Sequence, residues 1–264
     1  MQWWLVYLAL GAVVGFLAGL LGIGGGAVVV PMLVFVFTAQ GLPAEHTLHI
    51  ALGTAMATIM FTSLSSMRAH HGHGAVDWSI ARAMAPGILA GSFCAALLAG
   101  FIPTRPLAVM FTLLVFYAAT QILLDLRPKS TRELPGTAGL FGAGAVIGGI
   151  SSLMAAGGAF LCIPFLAWCS VPLRRAIGTA AAVGLPIAAA GTAGYVLQGL
   201  RADGLPSASL GYVYLPALLL VAAASMLAAP WGARVAHRLP VKRLRIVFAL
   251  VLYAVAARML AGLW

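Results

Sequence analysis

The sequence predicts an all-α integral membrane protein of two inverted-topology repeats, each of about five helical segments. Three observations carry this: an apolar composition, an internal duplication, and a one-sided distribution of Lys and Arg. Of 264 residues, 62% are hydrophobic and only 8% are charged, and the mean hydropathy is +1.06. A soluble domain carries roughly 25% charged residues, so water is not the principal solvent of this surface. Apolar runs of about 20 residues recur along the chain, each long enough as a helix to cross ~30 Å of hydrocarbon. The alternating strands of an outer-membrane barrel are absent from the sequence.

The duplication is read directly. Gly11 to Pro31 reads GAVVGFLAGLLGIGGGAVVVP and Gly144 to Pro164 reads GAVIGGISSLMAAGGAFLCIP. At this offset Gly11, Ala12, Val13, Gly15, Leu20, Gly24, Gly25 and Pro31 all meet identical residues. Gly53-Thr54-Ala55 then matches Gly178-Thr179-Ala180, and Ile102-Pro103 matches Leu239-Pro240, in the same order. Repeats of this kind define architecture before any other signal does. The chain divides into a first repeat, 1–124, a polar cytoplasmic linker, 125–136, and a second repeat, 137–264.

Taken in order, the first repeat contains apolar segments at 3–22, 24–38, 48–68, 80–101 and 105–124. The second contains them at 137–156, 157–170, 174–198, 211–229 and 242–262. Segments 24–38 and 157–170 are about 21–22 Å long as helices, too short for the full core. They are short spans or re-entrant arms, so the total is 8–10 spans. An odd number of segments per repeat turns the second copy upside down. With both termini outside, the inside receives Arg68, Arg82, Arg127, Lys129, Arg132, Arg174, Arg175, Arg234, Arg238, Lys242, Arg243 and Arg245. The outside receives Arg105, Arg201 and Arg258 alone. That bias obeys the positive-inside rule of a multi-pass inner-membrane protein. It also accounts for the net charge of +10, with no nucleic-acid partner. Inverted repeats are the architecture of secondary transporters, whose sites lie near the midplane between the halves.

Candidate chemistry concentrates at the glycine-rich breaks. Gly22-Ile23-Gly24-Gly25-Gly26 and its echo Gly157-Gly158-Ala159 free the backbone from helical geometry inside apolar sequence. A helix that restarts there presents unpaired N–H groups and its positive dipole end, which bind anions without a charged side chain. The substrate-binding candidates are therefore Gly24, Gly25, Gly26, Ala27, Gly157, Gly158 and Ala159, joined by the matched hydroxyls Thr54 and Thr179. Ser151, Ser152 and His49 are gating candidates. The five acids, Glu45, Asp77, Asp125, Glu133 and Asp203, map to loops or segment ends, so a carboxylate proton relay within the membrane is not expected. Cys94, Cys162 and Cys169 lack metal-ligand spacing and read as small buried side chains. Gly11, Gly15 and Gly19, spaced by four, suit close helix packing. No nucleotide-binding or hydrolase motif is present, so the chain is not expected to be an enzyme or to need a cofactor.

The stretch GxxxGxxxGLLGIGGGxxxVP at Gly11–Pro31, with its degenerate copy at Gly144–Pro164, resembles the sulfite exporter TauE/SafE family of membrane permeases. The likeness extends over nearly the whole chain. It implies transport of sulfite, a sulfonate or a related organosulfur anion. The expected partners are that small anion and the lipid bilayer, and a homo-oligomer is open. Ala155-Ala156 departs from the family's glycine pattern in the second half. Two other readings are open. His70, His71 and His73 form a cluster suited to a divalent-metal carrier, and a non-transporting membrane scaffold needs no site at all.

Overall fold

Helix length sorts the segments into spans and partial spans. The computed structural model describes residues 3–21, 26–124, 132–236 and 241–261. Among the described residues it contains ten helices: α1 Trp3–Leu21, α2 Gly26–Ala39, α3 Thr47–Gly72, α4 Trp78–Ala99, α5 Thr104–Leu123, α6 Thr137–Leu153, α7 Ala159–Trp168, α8 Leu173–Gly199, α9 Leu215–Ala236 and α10 Val241–Ala261. α3, α4, α5, α8 and α9 are long and apolar enough to cross a membrane. The fold is that of an all-α membrane protein. Large apolar side chains such as Leu98, Phe101, Leu113, Leu219 and Leu227 point outward, as a lipid-facing surface requires.

Prediction and structure agree on the order and type of all ten segments. α2, of 14 residues, and α7, of 10, are the short ones. α2 starts at Gly26 and α7 at Ala159, positions that are equivalent in the sequence repeat, and each helix carries its proline, Pro31 or Pro164, at the same step. Several boundaries differ: α3 runs on to Gly72 and α9 to Ala236, α6 stops at Leu153, and α7 is confined to Ala159–Trp168. The expected segment 211–229 begins instead at Leu215, because 209–214 form a small antiparallel hairpin, β1 Ser209–Leu210 with β2 Val213–Tyr214. Gly211, at φ 55°, makes its turn. The cysteine expectation also needs correction: Cys162 and Cys169 are buried, but Cys94 lies on the outward side of α4.

α3 and α8 form the centre: 61% and 56% of their apolar windows are buried, against 33–39% for α4, α5 and α9. Around them α1 packs on α9, α6 on α4, and α5 on α10. Renumbering α1–α5 as α6–α10, and the reverse, exchanges the first two pairings and returns the third to itself. Glycines make the first two close. A Cβ on Gly11 would stand 2.6 Å from the Val221 carbonyl oxygen, and one on the equivalent Gly144 2.5 Å from that of Met84. Helices in lipid associate through such close approach, because there is no solvent-driven burial between them.

The bundle has two distinguishable ends. At one, the α3–α4 loop meets the start of α8: Arg174 Nη2 donates to the His73 carbonyl at 3.0 Å, and Arg175 lies 3.9 Å from Asp77. At the other, the hairpin before α9 meets the start of α3 and the α4–α5 loop. His49 donates from Nε2 to the carbonyls of Ala99 and Ile102, both at 3.1 Å, and its ring stacks on Tyr212 at 5.1 Å. The first is called the basic face below.

Candidate functional site

The second break is a tight reversal. The α6 helix ends at Leu153, and Ala155 and Ala156 return N–H bonds to the Ser152 and Ser151 carbonyls at 3.3 and 2.8 Å. Ala155, at φ 45°, and Gly158, at φ 77°, both occupy the left-handed region, which costs a residue with a Cβ roughly 1–2 kcal/mol. Ala155 carries that cost where the first repeat has Gly22 in the equivalent position. From Gly158 the chain enters α7, and the first backbone bond is Cys162 N–H to the Gly158 carbonyl at 2.9 Å. Helical geometry leaves the N–H groups of Ala159, Phe160 and Leu161 without an intrahelical acceptor.

The start of α2 comes to the same place. Gly26 is buried at the start of α2, so close to the Ala155 carbonyl that a Cβ there would overlap it, with Ile59 Cδ1 2.7 Å away. Ala27 and its repeat equivalent Phe160 line one small cavity of about 20 Å³ with Met154 and Ala156, closed by Ala118 and Ile122 of α5 and Phe248 and Leu252 of α10. The two central helices pack on the second break itself. A Cβ on Gly157 would touch Ile59 and Ser63 of α3, and one on Gly184 of α8 would stand 2.7 Å from the Gly157 carbonyl and 3.0 Å from Ser63 Oγ.

Of the expected site residues, Gly26, Ala27, Gly157, Gly158 and Ala159 are therefore brought together. Gly24 and Gly25 lie outside the described residues. Ser151 and Ser152 are buried beside the second break, and neither hydroxyl has a hydrogen-bond partner. They share this state with the buried hydroxyls of Ser92 and Thr192 among others, and such groups are ready to bond water or a ligand. Thr54 and Thr179 lie elsewhere, one toward each face. Thr54 Oγ1 accepts from the Tyr214 N–H and Thr179 Oγ1 from the Asp77 N–H, each at 3.0 Å. His49 is buried at the face opposite the basic one. Sequence reasoning missed Ser63 and Gly184. Their signal was the spacing of small and hydroxylated residues on α3 and α8, which is weak when Ser and Thr also bond their own helix, as Thr58 does to the Thr54 carbonyl.

The histidine cluster is not assembled as a metal site. His71 Nδ1 accepts from the Trp78 indole N–H at 3.1 Å. Among the described residues no three His, Cys, Asp or Glu side chains are placed to hold an ion. His70 and His73 instead line an open groove of about 490 Å³ on the basic face with Arg174, Ala75, Leu173 and Ile177. Beside it, hydrogen bonds from Ser79 hold the Asp77 carboxyl below the usual carboxylate range, with Ile80 N–H and Arg175 acting in the same direction.

A helical bundle with long apolar helices and large apolar side chains on its outside defines a multi-pass membrane protein. The family model described as "Sulfite exporter TauE/SafE" matches residues 7–259, and the chain belongs to that family. It is similar to a "Probable membrane transporter protein" of Haemophilus influenzae, 37% identical over 97% of both chains. It is also similar to "Probable membrane transporter protein MJ0441" of Methanocaldococcus jannaschii, 25% identical over 92% of this chain and 90% of that one. "Probable membrane transporter protein YdhB" of Bacillus subtilis is 29% identical over 70% of this chain and 76% of its own. No solved structure matches the chain. The chain is a transporter rather than an enzyme.

Proposed function

We propose that the chain exports a small anion across the inner membrane, the substrate being sulfite, a sulfonate or a related organosulfur anion. The two repeats run in opposite senses, with both termini outside and the basic face toward the cytoplasm. The observation that carries this reading is the meeting of the α2 and α7 starts at one place. Two helix N-termini there offer N–H groups and positive dipole ends, and the buried hydroxyls of Ser151 and Ser152 add unpaired donors nearby. The cavity between the starts has room for about one water. A polyatomic anion is admitted only when the helices around it part, which favours alternating access over an open pore. An inside-negative potential expels each negative charge with about 2.3 kcal/mol per 100 mV, so outward movement needs neither nucleotide nor proton relay.

The test is efflux from liposomes holding the purified protein and loaded with sulfite, under an imposed potential. Taurine, sulfoacetate and sulfate are run beside it. Potential-dependent release of one of them is expected, and release of none by folded protein would count against the anion reading. Replacing His70, His71 and His73 together is expected to leave most of that efflux intact. Its loss, with metal uptake by the parent protein, would revive the metal-carrier alternative.

A further inference from the structure

Thr54 and Thr179 are placed by the same construction at opposite faces of the molecule. Each belongs to a Gly-Thr-Ala triplet on a central helix. The Thr54 hydroxyl accepts from Tyr214, the residue before α9, and the Thr179 hydroxyl from Asp77, the residue before α4. α4 and α9 are equivalent helices of 22 residues, so each threonine of one repeat grips the fourth helix of the other. The preceding glycines make the grip close. A Cβ on Gly53 would stand 3.0 Å from the Tyr212 carbonyl carbon, and one on Gly178 2.5 Å from that of Ala75. Both threonines are fully buried.

What surrounds the two contacts differs. Opposite the basic face, Tyr212 stacks on His49, whose ring is itself bonded to the end of α4. At the basic face, Asp77 accepts from the Ser79 and Ile80 N–H groups and faces Arg175, beside the groove lined by His70, His73 and Arg174. One closure is aromatic and buried, and the other is ionic and exposed.

We propose that these contacts are the two gates of the transporter, Thr54–Tyr214 closing one face and Thr179–Asp77 the other. They open in turn. This rests on the alternating-access reading above, and it gives the threonines a positioning role in place of direct contact with the substrate. In the structure both bonds are made, one toward each face. Removing one hydroxyl weakens one gate alone. A hydrogen bond of ordinary net strength corresponds to about a threefold to tenfold change in the open population.

The experiment reports on access without needing a substrate. Ser63→Cys places a thiol beside Gly157 and Gly184, in a protein whose Cys94, Cys162 and Cys169 are replaced by alanine. Its labelling by a membrane-impermeant maleimide is timed in right-side-out and in inverted vesicles. Thr179→Val is expected to speed labelling about threefold to tenfold from the basic face only, and Thr54→Val from the opposite face only. Thr→Ser at either position should restore the parent rate. Equal rates in parent and variants, or faster labelling from both faces, would overturn the proposal. A second arm covers variants that fold poorly: a short bifunctional thiol reagent joins the pair Asp77→Cys and Thr179→Cys. Labelling from the basic face should then stop, and unchanged labelling would again overturn the gate. One-sided labelling changes in a protein that moves no tested anion would uphold the gates and remove the substrate reading instead.

Discussion

Leucine in place of Gly26 is expected to abolish transport while the protein still inserts and folds. The reason is the neighbour it would meet. A Cβ at this position overlaps the Ala155 carbonyl and stands 2.7 Å from Ile59 Cδ1. The methyl of Ile59 can turn away, but Ala155 is backbone, held at φ 45° and tied by its N–H to the Ser152 carbonyl. Overpacking of a core costs typically about 1–3 kcal/mol. Here the least costly response is for the start of α2 to back away from the second break, which separates the two N-termini on which the proposed anion site depends. Gly26→Ala should give an intermediate loss. The measurement is sulfite efflux per mole of inserted protein, with monodispersity as the check on folding. Normal efflux by a monodisperse Gly26→Leu protein would show that the approach of the α2 start to the second break is not the substrate site.

How far this site was legible in advance differs from residue to residue. The α2 and α7 segments were readable as equivalent, with starts expected at 24 and 157, because the duplication keeps the glycine run and the following proline at fixed spacing. The partner of Gly26 was not readable. Apolar side chains face both lipid and protein here, so the helices lack the polar stripe that marks a solvent side, and nothing in a single segment names the helix it packs on. The exchange by which α1 packs on α9 and α6 on α4 therefore appears only in three dimensions. Thr54 and Thr179 were recognisable as a matched pair from their triplets, but their acceptor role depends on Tyr214 and Asp77, 160 and 102 residues away. Cys94 was misread for the same reason as the pairings: an apolar neighbourhood in sequence is compatible with either side of a membrane helix. The hairpin at 209–214 was hidden by the apolar residues Tyr212, Val213 and Tyr214, which extend the pattern of α9 backward although Gly211 already turns the chain.

The second large effect is on assembly rather than on transport. Gly148→Leu is expected to remove most of the folded, monodisperse protein, whereas Gly142→Leu on the same helix is expected to leave it unchanged. A Cβ on Gly148 would lie 2.6 Å from the Ile88 carbonyl oxygen and 2.8 Å from Ser92 Oγ, while nothing stands within 4 Å of one on Gly142. Leucine favours a helix over glycine by up to about 1 kcal/mol at both positions, so propensity cannot explain a difference between them. What differs is the approach of α6 to α4 across the two repeats. Gly87 and Gly91 of α4 answer from the other side, each with its backbone against α6. With no solvent-driven burial to offset a lost contact in lipid, prising this pair apart forfeits the dispersion contacts along its length. Gly15, the repeat equivalent of Gly148, packs in the same way on the Ser225 backbone of α9, so Gly15→Leu should match Gly148→Leu. Detergent-extracted yield and size-exclusion profiles of the three variants decide the point. Equal behaviour of Gly142→Leu and Gly148→Leu would mean that the α4–α6 contact does not hold the two repeats together.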